Sequence, residues 1–268
     1  MENINICKSK TEEKLLIVNG VIKKYSNEYL AVKEASFSMK KGECLGLVGE
    51  SGSGKSTLAR CILMLEKMTK GEIWLNGQAL HNIKGSDLKK KQRRMQAVFQ
   101  NPTSSLNPKL KILDSLIEPL DYQCDINPSF LKGIRSNRRK SAQVLLDMVQ
   151  IPTKYLDCYP HELSGGQKQR IIIARAISVE PWLIVLDEPT ASLDVSIQAR
   201  VLNLLKDLQQ NLKLSYFFIS HDLSAVNFMC QRMMVMKDGK IVDRFSRKDL
   251  FNEERSSYTK RLLEIFGT

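Results

Sequence analysis

Gly49-Glu50-Ser51-Gly52-Ser53-Gly54-Lys55-Ser56 fits the pattern of a glycine, four residues and Gly-Lys-Ser by which a backbone loop cradles phosphates. Its glycines let the chain turn tightly enough to aim several N–H groups at phosphate oxygens. Lys55 is then placed to reach the outer phosphates as a point charge, and the Ser56 hydroxyl to meet Mg²⁺. The flanks agree: Glu43-Cys44-Leu45-Gly46-Leu47-Val48 is a short apolar run of strand type, and Thr57-Leu58-Ala59-Arg60-Cys61-Ile62-Leu63 can carry a helix. Strand, loop and helix in that order turn the positive end of the helix toward the anion. A chance Gly/Ser turn would need neither flank. The stretch predicts a chain that holds a nucleoside triphosphate.

Around it the composition is that of an ordinary folded protein: of 268 residues 43% are hydrophobic and 26% charged, which excludes a disordered chain. No apolar run approaches the ~20 residues of a membrane helix, and Met1 to Lys14 is polar rather than signal-like, so a cytoplasmic location is expected. Lys plus Arg number 41 against 29 acidic residues, a net charge of +12, with the densest basic runs at Lys84 to Arg94 and Lys132 to Lys140. Neither run is interleaved with aromatics as a base-stacking surface is. Solvated helix faces are the expectation, and contact with a membrane surface or partner the rival. Cys7, Cys44, Cys61, Cys124, Cys158 and Cys230 share no Cys-x-x-Cys spacing, which argues against a zinc site, an iron–sulfur centre or a disulfide framework.

Ahead of the loop, Leu15 to Met39 reads as short strands of a small antiparallel sheet, with a turn at Lys41-Gly42. Tyr25, after Lys23-Lys24, sits about where an aromatic folds back over a bound base; a half-buried strand tyrosine is the equal alternative. Beyond the loop, Gly71-Glu72-Ile73-Trp74-Leu75-Asn76-Gly77 is a strand closed by an Asn-Gly turn. A basic helix follows, and Met95 to Phe99 forms a strand that delivers Gln100 to its carboxyl end, where nucleotide-binding sheets meet their ligands. From Asn101 to Leu163, prolines at 102, 108, 119, 128, 152 and 160 punctuate helical segments such as Ser141 to Val149, which marks an inserted helical subdomain. His161, beside Glu162 in its last loop, reads as a hydrogen-bonding spacer.

Further stretches carry chemistry. Leu163-Ser164-Gly165-Gly166-Gln167 opens a helix through Lys168 to Ile177, and Ser164, backbone amides and a helix dipole together make a second anion site. Trp182 to Leu186 is a continuously apolar strand ending in Asp187-Glu188, as expected of a buried parallel strand with carboxylates at its tip. Asp187 suits the Mg²⁺ held by Ser56, and Glu188 a base that orients or deprotonates water. After the tight loop Pro189 to Asp194, the residues Ile197, Val201, Leu204, Leu205, Leu208 and Leu212 mark one apolar helix face. Tyr216 to Ile219 is another buried strand ending in Ser220-His221-Asp222, which places His221 on the edge shared with Asp187 and favours a γ-phosphate contact. Met229, Met233, Met234 and Met236 read as packing, Val235 to Val242 as a hairpin with an Asp-Gly turn, and the tail from Lys248 as helical.

In this order the phosphate loop, Gln100, the Leu163 to Gln167 stretch, the strand to Asp187-Glu188, the Ser192-Leu193-Asp194 loop and His221 resemble the nucleotide-binding subunits of ATP-binding-cassette (ABC) transporters over nearly the whole chain. The resemblance implies an ATPase in which Tyr25 stacks on adenine and Gly49, Glu50, Ser51, Gly52, Ser53, Gly54, Lys55, Ser56 and Thr57 hold ATP. It implies that Ser56, Gln100 and Asp187 hold Mg²⁺, that Glu188 is the catalytic base, that Gln100 also couples, and that His221 meets the γ-phosphate. It accounts for two anion sites on one chain as well: two such domains pair head to tail, and Ser164, Gly165, Gly166, Gln167 and Asp194 of one close over ATP held by the other. Within the family, Gln100-Asn101-Pro102-Thr103-Ser104-Ser105-Leu106-Asn107-Pro108 and Tyr159-Pro160-His161-Glu162 resemble the oligopeptide, dipeptide and nickel importer ATPases. Where those often carry His-Pro-Tyr-Thr, this chain has Ser256-Ser257-Tyr258-Thr259 and then no cysteine-rich extension. That departure weakens a dipeptide assignment and suits the nickel or metallophore branch.

The expected fold is α/β: a P-loop NTPase core with an N-terminal antiparallel β subdomain and an inserted α-helical subdomain, one nucleotide-binding domain over 1–268. Residues 1–99 and 165–240 are expected to form the core with its β subdomain, 100–164 the helical subdomain and 241–268 a helical tail. The expected function is the ATP-hydrolysing subunit of a peptide- or nickel-type importer, peripheral at the cytoplasmic face of the membrane, with ATP and Mg²⁺ as cofactors. Its expected partners are a second ATPase subunit, identical or not, two membrane permeases and an external solute-binding protein, with no nucleic acid. The alternative is a non-transport ABC ATPase acting on ribosomes or DNA, against which a single phosphate loop and the absence of heptads argue.

Overall fold

A computed structural model describes residues 14–26, 28–83, 85–100 and 105–266, and among them the chain forms ten strands and eight α-helices. β1 (Lys14–Lys24) and β2 (Leu30–Lys40) pair antiparallel, each burying alternate apolar residues. β3 (Cys44–Val48) leads through the phosphate loop into α1 (Lys55–Ile62), which starts two residues earlier than its apolar pattern suggests and so makes Lys55 and Ser56 helical. β4 (Lys70–Leu75) returns to the free edge of β1, and Asn76-Gly77, at φ 49° and 75°, turn it into β5 (Gln78–Ala79). The antiparallel sheet, in the order β2-β1-β4-β5, is therefore built from both sides of the phosphate loop and not only from residues ahead of it.

Next come α2 (Gly85–Gln92) and β6 (Met95–Val98), then a helical stretch with α3 (Ile112–Tyr122), α4 (Arg138–Met148) and α5 (Gly165–Ile177). The chain re-enters the core with β7 (Leu183–Asp187), α6 (Val195–Leu212), β8 (Tyr216–Ser220), α7 (Leu223–Met229) and β9 (Arg232–Lys237), and closes with β10 (Lys240–Ser246) and α8 (Ser257–Phe266). The second sheet runs β10-β9-β3-β8-β7-β6, parallel except for β10 at its edge. β3, β7 and β8 are buried at every position, which is why they read as unbroken apolar runs. Alternate residues of these strands feed different cores. Cys44, Val48, Ile184, Leu186, Tyr216 and Phe218 join the core that holds α3 to α8. Leu45, Leu47, Leu183, Val185, Phe217 and Ile219 join the one around α1 and the antiparallel sheet.

Several expectations are corrected. Residues 241–268 are not helical throughout: Asp238 and Gly239, at φ 47° and 82°, reverse the chain, so 240–246 pairs with β9 before α8 begins. On α6, Ile197 and Leu212 are only half-buried, while Gln209 is buried with its Nε2 donating to the Gly42 carbonyl at 2.9 Å. The run Lys132 to Lys140 is largely exposed, as expected, but its arginines are paired. Arg135 donates to the carbonyls of Ile126 and Leu120, Arg138 pairs with Asp114 and Asp121, and Arg139 with Asp157. The four methionines are buried, and Cys44 and Cys230 bring their thiols within 3.3 Å in the core. Cys7 and residues 101–104 lie outside the described residues, among which no helix is long and apolar enough to cross a membrane.

Candidate active site

The loop between β3 and α1 packs so closely on its neighbours that a side chain has no room at its end. Gly54 caps α1 at φ 102°, and a Cβ on it would stand 2.2 Å from the carbonyl oxygen of Ala31 on β2. The turn between β9 and β10 braces the loop from another side, the Gly239 N–H donating to the Ser53 carbonyl at 3.0 Å. Lys55, 5% exposed, lays its ammonium on the carbonyls of Gly49 and Glu50, at 2.8 Å each, and near Ser53 Oγ at 3.4 Å. Burial pushes its pKa below the ordinary lysine value, with Glu188, Asp187 and Glu50 opposing. A buried ammonium satisfied by neutral oxygens gains strongly when a phosphate oxygen replaces them.

β7 and β8 end side by side, Asp187 level with Ile219 in the parallel register, so Glu188 and His221 leave the sheet together. Asp187 accepts from Ser56 Oγ at 3.2 Å. Burial pushes its pKa up, Glu188 acts in the same sense, and Ser56 and Lys55 oppose. Glu188 takes a φ of 51°, a left-handed conformation that costs a non-glycine residue about 1–2 kcal/mol. Such strain persists where the surroundings impose it, and functional sites are where it collects. Here the Glu188 N–H is held by the Ile219 carbonyl at 2.9 Å, and its Oε1 lies 3.2 Å from His221 Nδ1.

Glu50, Ser51, Gly52, Gly54, Lys55, Ser56, Thr57, Gln100, Asp187, Glu188 and His221 line one cavity of about 710 Å³, with Tyr29 and Ala31 on its wall. Gly49 and Ser53 stand behind that lining, bonded to Lys55. Ser56, Asp187 and Gln100 bring hydroxyl, carboxylate and carboxamide oxygens to the cavity, the hard donors that Mg²⁺ takes together with phosphate oxygens, so the set fits that ion. Among the described residues there is no cluster of three or more His, Cys, Asp or Glu to hold a metal by side chains alone.

One expected residue is elsewhere. Tyr25 does not line the cavity: its hydroxyl donates to Glu66 Oε2 at 2.7 Å, and Lys23 Nζ lies 4.9 Å over its ring. The aromatic on the wall is Tyr29, 54% exposed, across the turn into β2. Its sequence signal is the place two residues before Ala31, whose carbonyl packs on Gly54.

The second glycine-rich stretch stands apart. Ser164, Gly165, Gly166, Gln167 and Asp194 do not line this cavity. Ser164 caps α5 in a reciprocal pair, its Oγ accepting from the Gln167 N–H at 3.3 Å and its own N–H donating to Gln167 Oε1 at 2.9 Å. A Cβ on Gly166 would meet Ile197 Cγ2 at 2.5 Å, so α5 begins hard against α6. Asp194 caps α6, and the bonds it accepts from Ile197 N–H and Ser196 hold its carboxyl below the usual range. With Ser164 and Gly165 exposed, the positive end of α5 opens on the surface and not on the loop of its own chain. Ser192 Oγ donates to the Gln100 carbonyl at 3.3 Å, tying the loop before α6 to the cavity.

A family model described as ABC transporter matches residues 32–191. The oligopeptide transport ATP-binding protein OppF of Lactococcus lactis is 42% identical over 247 residues, 92% of this chain and 75% of that protein. OppF of Streptococcus mutans is 43% identical over 238 residues, 89% of this chain and 75% of that protein. Among solved structures, the dimer of the ATP-binding cassette MJ0796 bound to ADP and Pi is similar with a TM-score of 0.76 at 30% identity, over 87% of this chain and 99% of that one.

Proposed function

The chain belongs to the ABC transporter family and is an ABC ATPase, and from that premise we propose that it is the ATP-hydrolysing subunit of a peptide importer. The observation that carries the reading is the meeting of Lys55, Ser56, Gln100, Asp187, Glu188 and His221 at one cavity, while Ser164 to Gln167 open elsewhere on the same chain. In this reading the loop and Tyr29 hold ATP, with Lys55 exchanging its carbonyls for the outer phosphates. Ser56, Asp187 and Gln100 would hold Mg²⁺, which neutralises phosphate charge when bound. Glu188 takes the proton of the attacking water, and His221, paired with it, orients the carboxylate and faces the terminal phosphate.

The α5 end of a second ATPase subunit completes the site, because its dipole favours an anion that its own chain does not bring to it. The solved relative MJ0796 is a dimer. ATP then closes the pair and hydrolysis reopens it, a two-state motion fit to drive a partner in the membrane. We assign to that partner, a pair of permeases, the groove of about 830 Å³ between core and helices, where Leu65 and Tyr122 stay 60% and 77% exposed and Phe99 leads into Gln100. The place at the cytoplasmic face and an external solute-binding protein follow from the same reading. Peptide is the assigned solute because the relatives carry oligopeptide transport in their names; import of nickel or a metallophore rests on the tail alone.

The test is Glu188→Gln. It should keep ATP binding, lower turnover by about 10²- to 10⁴-fold and trap an ATP-bound dimer visible by light scattering. Turnover close to the wild-type rate would refute the base assignment. Peptide uptake by vesicles holding the chain with its two permeases, lost in the same variant, checks the solute.

A further inference from the structure

We propose that Tyr258 is a positioning residue for the phosphate loop, reaching it from the C-terminal helix. The backbone of Glu50 is held on both sides. Its carbonyl accepts from Lys55 Nζ at 2.8 Å and from the Ser53 N–H at 3.2 Å, and its N–H donates to the Tyr258 hydroxyl at 3.2 Å. Tyr258 stands 208 residues later, in the first turn of α8, and is buried. Burial above all pushes the phenol's pKa up, so it remains a neutral hydroxyl.

α8 bears on the loop because Asp243 of β10 fixes its start. Asp243 accepts from the Ser256 N–H and from Thr259 Oγ1, both at 2.9 Å, and from Arg255 at 3.1 Å, while Ser256 Oγ and Thr259 Oγ1 share a bond of 2.8 Å. Asp243 is 11% exposed at its side chain and Thr259 1%. A buried network of several such bonds on one carboxylate sets a position sharply. It leaves the Tyr258 hydroxyl aimed at the Glu50 N–H, with Lys237 Nζ 4.8 Å from the centre of its ring.

The inference rests on the reading that this loop holds ATP. When nucleotide arrives, Lys55 leaves the Glu50 carbonyl for phosphate oxygens, and the Glu50 backbone loses one of its grips. Tyr258 keeps the opposite one, so the loop holds its phosphate-receiving shape without further rearrangement. Tyr258-Thr259, the half of His-Pro-Tyr-Thr that this chain retains, thereby divides its work: Thr259 anchors the helix and Tyr258 touches the loop.

Full-length Tyr258→Phe keeps the ring and removes only the hydroxyl. Leu262→Ala loosens α8 through a buried apolar residue of the same helix. Calorimetry with ATP and phosphate-release kinetics should show Tyr258→Phe binding ATP about tenfold more weakly, the scale of one hydrogen bond left unmade, with KM raised and kcat held. Leu262→Ala should lower the melting temperature and leave ATP affinity in place. Thr259→Val should reproduce part of the loss and add little on top of Tyr258→Phe, because it acts through that residue. Wild-type ATP affinity in Tyr258→Phe, or an equal loss in Leu262→Ala, overturns the inference. A wild-type chain that binds no ATP overturns the loop assignment beneath it.

Discussion

Replacing Tyr29 by Ala should strip ATP from the site, whereas replacing Tyr25 by Ala should leave ATP bound and soften the fold. Tyr29 is 54% exposed on the cavity wall, where its ring can meet a base. Stacking of a base on an aromatic is worth about 1–3 kcal/mol, or about 5- to 150-fold in Kd. Its removal should shift the melting temperature little, as for most exposed residues. Tyr25 is half-buried and donates to Glu66 at 2.7 Å beneath the Lys23 ammonium. Losing a bond to a charged group and a cation–π contact costs about 2 kcal/mol once their partial exposure is allowed for. That corresponds to a melting temperature about 4–8 °C lower in a chain of this size. Calorimetric titration with ATP and thermal melting of both variants give four numbers that must dissociate in this way. Should Tyr25→Ala lose ATP while Tyr29→Ala binds it as the wild type does, the base meets Tyr25 and the reasoning from the cavity wall fails.

Gly54→Ala combines a positive φ with a contact 2.2 Å from the Ala31 carbonyl, so it should cost about 1–3 kcal/mol of stability and abolish ATP binding, as melting and titration would record. Gly166→Ala gains up to about 1 kcal/mol of helix propensity but loses about 1–3 kcal/mol by overpacking on Ile197. On the proposed reading, in which the α5 end meets another subunit's nucleotide, ATP binding should survive while turnover falls; unchanged turnover would count against a shared site.

What could be read in the residues alone follows the range over which each cause acts. β3, β7 and β8 are buried on both faces, and a strand in that setting writes itself as an unbroken apolar run. Asp187 and His221 were within reach because both sit where such a run stops, and parallel neighbours stop level. The pairing of β4 with β1 has no local signature, as it depends on which edge of β1 is left open after β2 has taken the other. Whether Tyr25 faces a base or packs as a half-buried tyrosine turns on the conformation of the chain just after β1, which brings its hydroxyl to Glu66. The arginines of 135–139 look like a basic face until the carbonyls and carboxylates brought by α3 are folded onto them. Tyr258 and Glu50 meet across 208 residues, with the helix start that brings them together fixed by Asp243, and nothing in the local sequence marks the contact.

The central sheet is also a partition with an odd-and-even rule. Along β3, β7 and β8 the even-numbered side chains fill the compartment of the helices, and the odd-numbered ones fill the compartment of the antiparallel sheet. A substitution at an odd position of these strands therefore bears first on the packing around α1 and the antiparallel sheet, and one at an even position on the packing of the helices.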